Sequence, residues 1–171
     1  MADSLALSIK ASFDWLFKES LDLSTVADSS KVDYTASLVD GTAAGQADKL
    51  WHDRRTLATG AHEDLDLTYL AQTLFGGSVS LALAKVKALL IINTATAAGE
   101  DLIIGGSGGH EWSGPFGAVG DKIRCPADSC LLLTHKTSGW SVSGGSADLL
   151  RIASAGSGSI TYKIVIAGTS V

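Results

Sequence analysis

Cys125 and Cys130 flank Pro126-Ala127-Asp128-Ser129, a turn-forming tetrapeptide that would set the two thiols opposite one another across a hairpin, within reach of a disulfide. A cytosolic setting favours two reduced, half-buried thiols instead. Zinc needs about four ligands. His52, His62, His110 and His135 lie in separate segments, with no paired spacing to each other or to the cysteines. Gly105-Gly106-Ser107-Gly108-Gly109 has the glycines of a phosphate-binding loop, but His110-Glu111-Trp112-Ser113-Gly114-Pro115 follows where a helix start with Lys and Ser or Thr is needed. A flexible loop is the expectation, with Trp112 and Phe116 as its apolar contact residues.

The remaining constellations are weaker as chemistry. Serine and histidine are both present, yet no Gly-x-Ser-x-Gly lies between a strand and a helix, and Gly156-Ser157-Gly158-Ser159 is turn sequence. Asp53, Glu63, Asp64 and Asp66 could supply a carboxylate pair for glycoside hydrolysis or oxygen ligands for calcium. They lack the spacing and glycine of an EF-hand loop, and solvated charges around Leu65 and Leu67 describe them more simply. Asp53-Arg54-Arg55 beside Trp51 reads two ways, as a subunit contact rich in Arg and Trp or as an internal salt bridge. No catalytic residue, cofactor site or metal site emerges, and the chain is expected not to be an enzyme.

The elements that would carry these residues are mostly strands. Leu5, Leu7, Ile9, Ala11, Phe13, Trp15 and Phe17 take alternate positions with Ser8, Lys10, Ser12 and Asp14 between them, a strand with one apolar face. Val32, Tyr34, Ala36 and Leu38 repeat the pattern after a polar loop at Asp28-Ser29-Ser30-Lys31 and before a turn at Asp40-Gly41, so the two segments should pair. Residues 41–48 form a connecting loop, and Leu50 to Leu57 a short extended piece. Leu65 to Phe75 fits a helical turn or an irregular strand, ended by Gly76-Gly77. Ala82 to Leu90 suits a helix by propensity, whereas Val79, Leu81 and Ile91-Ile92 favour an extended Ser78 to Asn93.

Further on, glycine turns at 105–106, 108–109, 144–145 and 156–158 separate apolar runs at Leu102 to Ile104, Leu131 to Leu133, Leu149 to Ile152 and Tyr162 to Ile166. The fold class is therefore mainly β, an antiparallel β-sandwich or jelly-roll with room for one short helix within 65–90. One domain over 1–171 is expected, with 1–20 as an arm or edge strand that pairs with a neighbour's sheet, anchored by Phe13, Trp15 and Phe17.

Composition narrows the setting. Of 171 residues 46% are hydrophobic and 18% charged, an apolar surplus that calls for a partner surface. The net charge of −5 disfavours direct contact with nucleic acid, which takes a clustered basic face. No apolar run approaches the length of about 20 residues that a membrane helix needs. Met1-Ala2-Asp3-Ser4 lacks the basic start of a signal peptide, so synthesis in a cytoplasm is expected.

Residues 41–57 (GTAAGQADKLWHDRRTL), Glu63-Asp64-Leu65-Asp66-Leu67, Val86-Lys87-Ala88 and the closing 162–170 (TyrLysIleValIleAlaGlyThrSer) together resemble a group of small structural proteins of tailed bacteriophages. The resemblance implies a β-sandwich virion component, foremost a capsid decoration (cement) protein stabilising the phage head. It implies the major capsid protein or other virion proteins as partners, a homo-oligomer such as a dimer or trimer, and no catalytic residue. Phe13, Trp15, Phe17, Trp51, Arg54, Arg55, Trp112 and Phe116 are the interface candidates. The alternative is a glycan-binding fibre or spike module for host attachment, using Trp112, Trp140 and loop carboxylates.

Overall fold

The computed structural model describes residues 4–74 and 77–171. Its strands are β1 (Ala6–Ser20), β2 (Thr25–Val39), β3 (Lys49–Leu57), β4 (His62–Asp66), β5 (Leu70–Leu74), β6 (Gly77–Leu81), β7 (Lys85–Asn93), β8 (Leu102–Gly105), β9 (Lys122–Cys125), β10 (Ser129–Thr134), β11 (Trp140–Ser141), β12 (Leu149–Ser154) and β13 (Ile160–Thr169). There is no helix among the described residues.

Two antiparallel sheets pack face to face as a β-sandwich. One runs β10-β7-β13-β3, with β11 added to the end of β7, and the other β4-β12-β8-β9. Alternation decides which side chains meet between them. Leu89 and Ile91 of β7 and Tyr162, Ile164 and Ile166 of β13 point inward, against Leu102 and Ile104 of β8 and Leu150 and Ile152 of β12. The β-branched residues concentrated on these central strands suit a half-buried pleated surface.

The region left open between helix and strand is extended throughout. Residues 62–66 and 70–74 are strands, and 77–81 and 85–93 follow as β6 and β7, so the short helix allowed within 65–90 does not form. The helix-favouring Ala82 to Leu90 is overridden by position: β7 is bonded on one side to β13 and on the other to β10 and β11. A central strand has both backbone edges satisfied, and β7 also buries Leu89 and Ile91 in the core, which outweighs propensity differences of a few tenths of a kcal/mol per residue. The expected end of this element, at Phe75 and Gly76, lies outside the described residues.

β1 and β2 form a separate hairpin of two 15-residue strands in unbroken register, from Ala6 opposite Val39 to Ser20 opposite Thr25. At about 3.3 Å per residue it is roughly 50 Å long. The segment Asp28-Ser29-Ser30-Lys31, expected as a loop, lies inside β2, paired with Phe17 to Asp14. The reversal comes instead at Leu21 to Ser24, closed by the Leu21 amide donating to the Ser24 carbonyl at 2.7 Å. Four consecutive polar residues are tolerated in a strand here because this stretch is solvated: β1 pairs one edge of its backbone and water satisfies the other.

Candidate interaction surface

In the β1–β2 hairpin, residues opposite each other share a face. Leu7, Ile9, Ala11, Phe13, Trp15 and Phe17 stand over Leu38, Ala36, Tyr34, Val32, Ser30 and Asp28, while the other face carries Ser8, Lys10, Ser12 and Asp14 over Ser37, Thr35, Asp33 and Lys31. The root of the apolar face is covered by the sandwich. Ala36 and Leu38 are buried, Leu7, Ile9 and Ala11 are half-buried, and the Tyr34 hydroxyl lies 2.9 Å from that of Thr134 on β10.

Beyond the root the same face is open. Phe13 is 77% and Phe17 68% exposed, and Trp15, Val26 and Val32 are also exposed. An aromatic ring left in water forgoes about 25 cal/mol for each Å² of apolar surface that could be buried. A lone two-stranded hairpin is at best marginally stable in water without a third strand or a covering layer. The distal arm is therefore the part of the described structure most in need of a partner.

The arm residues selected from the sequence, Phe13, Trp15 and Phe17, come together on this one face. β1 gives one of its edges to β2 of its own chain, leaving only the other edge open for an added strand. Val26, Val32 and Tyr34 extend the face and were not singled out. Their shared parity with Ala36 and Leu38 is visible in the sequence, but Asp28 and Ser30 interrupt it.

Two other interface candidates are core residues. Trp51 is 1% exposed, with its indole N–H donating to the Ala71 carbonyl at 2.9 Å, and Trp112 is 1% exposed, donating to the Ser141 carbonyl at 3.0 Å. Trp112 meets Phe116 and Trp140 edge to face, with centroids 6.2 and 6.3 Å apart, and Phe116 is partly buried beside it. Neither indole is free to meet a partner or stack on a sugar, which removes Trp112 from the glycan-binding alternative. Sequence could not assign the parity of β3, because Leu50 and Trp51 are both apolar neighbours.

The same parity separates the two arginines. Arg55 lies opposite Tyr162 and forms the internal salt bridge, donating to Glu63 at 2.6 Å and to Asp53 at 2.8 Å, while the Tyr162 hydroxyl donates to Glu63 at 2.5 Å. Burial, reinforced by the Glu63 hydrogen bond, holds the Tyr162 phenol well above its ordinary value. Arg54 points the other way and is exposed, opposite Lys163 on the outer face of the sheet.

The carboxylates considered for chemistry have partners of their own. Asp64 accepts two hydrogen bonds from Arg151, both at 2.7 Å, which holds its carboxyl below the usual range. Asp66 accepts from the Thr68 amide and hydroxyl. Among the described residues no three His, Cys, Asp or Glu side chains converge as metal ligands.

The glycine loop has amide donors turned inward, but they are occupied from within. Glu111, buried, accepts from the Gly106 and Gly120 amides, each at 2.8 Å. Gly105 and Gly106 have φ of 99° and 71°, and a Cβ at Gly105 would sit 2.5 Å from the Asp121 carbonyl oxygen, so the turn requires glycine. Glu100 plays the matching part at the 156–158 turn, accepting from the Gly158 amide at 2.8 Å and the Ser157 hydroxyl at 3.2 Å. Both glutamates escaped the sequence reading, which has no signal for a carboxylate folding back on a nearby loop.

Cys125 and Cys130 are both free, the first buried and the second exposed. The disulfide that the spacing allowed is not formed, because the intervening residues do not make a hairpin. β9 belongs to one sheet and β10 to the other, and the chain crosses between layers at Pro126 to Asp128. The buried Cys125 thiol sits 3.3 Å from the Ser129 hydroxyl instead.

No family model matches this chain, and neither a curated protein nor a solved structure does so.

Proposed function

We propose that this chain is a structural subunit without a reaction centre, joined to a larger protein assembly through the β1–β2 arm. The observation that carries the reading is the arm's apolar face, buried at Ala36 and Leu38 and open from Phe13 and Val32 outward. A surface of this kind exists to be covered, and covering it needs shape and apolar complementarity but no chemistry. The resemblance to small structural proteins of tailed phages makes the virion its setting, with decoration of the head as the task and the major capsid protein among its partners.

The reading is tested by purifying particles from the source that encodes the chain and counting its copies. Many copies per particle are expected, with loss from the particle fraction when Phe13→Asp and Phe17→Asp are combined. Wild-type chain that stays wholly in the unassembled fraction would overturn it.

A further inference from the structure

Resting on the reading of the arm as an assembly contact, we propose that its first partner is a second copy of this chain, by reciprocal exchange. Phe13, Trp15, Phe17 and Val32 of each copy cover the outer face of the other copy's β10-β7-β13-β3 sheet.

The receiving face follows from the register. With Leu89, Ile91, Ile164 and Ile166 pointing into the core, their strand neighbours point out. Three cross-strand rows result: Thr134, Ala88, Ala167 and Leu50; then Leu132, Leu90, Val165 and His52; then Cys130, Ile92, Lys163 and Arg54. The first row holds Thr134, the partner of Tyr34, and its Ala88 and Ala167 are buried although their register turns them outward. The root of the arm therefore sits on that row of its own sheet. The next two rows continue the same surface without a cover, with Leu132, Leu90, Ile92 and Val165 only half-buried. Distal arm and uncovered rows are thus the two unmatched parts of a contact whose beginning is already made within one chain.

Charge gives the second argument. The arm's apolar face ends toward its tip in Asp28, opposite Phe17, and Glu19, opposite Val26. The uncovered rows end on β13 and β3 in Lys163, His52 and Arg54, which, together with Asp53 paired to Arg55, line an open groove of about 600 Å³ between this face and the β5–β6 hairpin. Apolar meets apolar and acid meets base only when the tip lies toward β3.

Area supplies the third. Taking about 200 Å² for an aromatic residue and the observed exposures, the distal face offers on the order of 500 Å². One arm on one sheet would bury about 1,000 Å² in total, at the lower limit for a specific contact. A two-fold exchange doubles this to about 2,000 Å², within the range of stable dimers, and satisfies the self-complementarity that such symmetry demands.

The test is the light-scattering mass of the full chain across a concentration series. A mass of two chains is expected for wild type, and of one chain for Phe13→Asp with Phe17→Asp. Arg54→Glu with Lys163→Glu should weaken self-association about tenfold or more, and adding Glu19→Lys with Asp28→Lys should restore it. Because every substituted side chain is exposed, circular dichroism should stay unchanged, and rescue by the second charge pair excludes misfolding as the cause. A wild-type chain that remains single at its highest soluble concentration, or a charge reversal with no effect on mass, would overturn the exchange. A single-chain protein that still enters particles would leave the assembly reading standing. A dimer that never enters them would support the exchange and sink that reading.

Discussion

Tyr162 carries the clearest titration signature in the fold. Its hydroxyl is buried against Glu63, which Arg55 holds in place, so the folded phenol keeps its proton at pH values where a free phenol loses it. With the folded pKa raised above the unfolded value of about 10, this contribution to stability is fully present below pH 10 and is lost as pH rises beyond it. Tyr162→Phe should cost about 1 kcal/mol at neutral pH. It should also flatten the fall in melting temperature between about pH 10 and 11, measured beside wild type. Glu111 is expected to matter more. Glu111→Ala strands two inward-turned amides at Gly106 and Gly120, at a cost of about 3 kcal/mol by urea unfolding, whereas Glu111→Gln, which can still accept one bond, should lose roughly half of that. Neither glutamate contact nor the Tyr162 bond could be read in the sequence, since each joins residues that are brought together only by sheet pairing or loop closure.

Strand position explains why elements were legible to different degrees. The alternation from Leu7 to Trp15 and from Val32 to Leu38 is strict, and it identified the hairpin and its apolar face directly. β7 was harder, because its outward Leu90 and Ile92 are as apolar as its inward Leu89 and Ile91, so it shows an apolar run, not an alternation, and Ala82 to Leu90 then scores as helix. The turn at Leu21 to Ser24 was hidden by the more polar Asp28 to Lys31, a segment that the hairpin register holds extended. Burial, by contrast, separates aromatic residues that look equivalent in sequence. Phe17→Ser should change unfolding free energy in the isolated chain by no more than about 0.5 kcal/mol. Trp51→Ala, which empties a core site and removes the indole hydrogen bond to the Ala71 carbonyl, should cost about 3 to 5 kcal/mol. Chemical denaturation of both variants at low protein concentration separates a surface kept for a partner from one kept for the fold.

At the scale of the whole molecule, the sandwich is closed by its own core while the arm is not. Trp51, Leu89, Ile104, Ile152 and Ile166 lie almost wholly out of water, and the distal hairpin has neither a third strand nor a second layer. The fold class was visible in the glycine-spaced apolar runs; the division into a self-sufficient body and a dependent arm was not, because nothing local in Phe13 or Phe17 says that the body ends before them. A segment without cover opens at far lower free energy than a core strand, and its amides exchange accordingly. Hydrogen exchange on the chain in its assembled form and on the same chain purified and diluted is therefore the most direct test. Amides of Phe13 to Val32 should exchange fast in the diluted chain and be slowed about a hundredfold or more on assembly, while β7 and β13 stay protected in both. Arm amides that exchange equally fast in the two states would contradict the account.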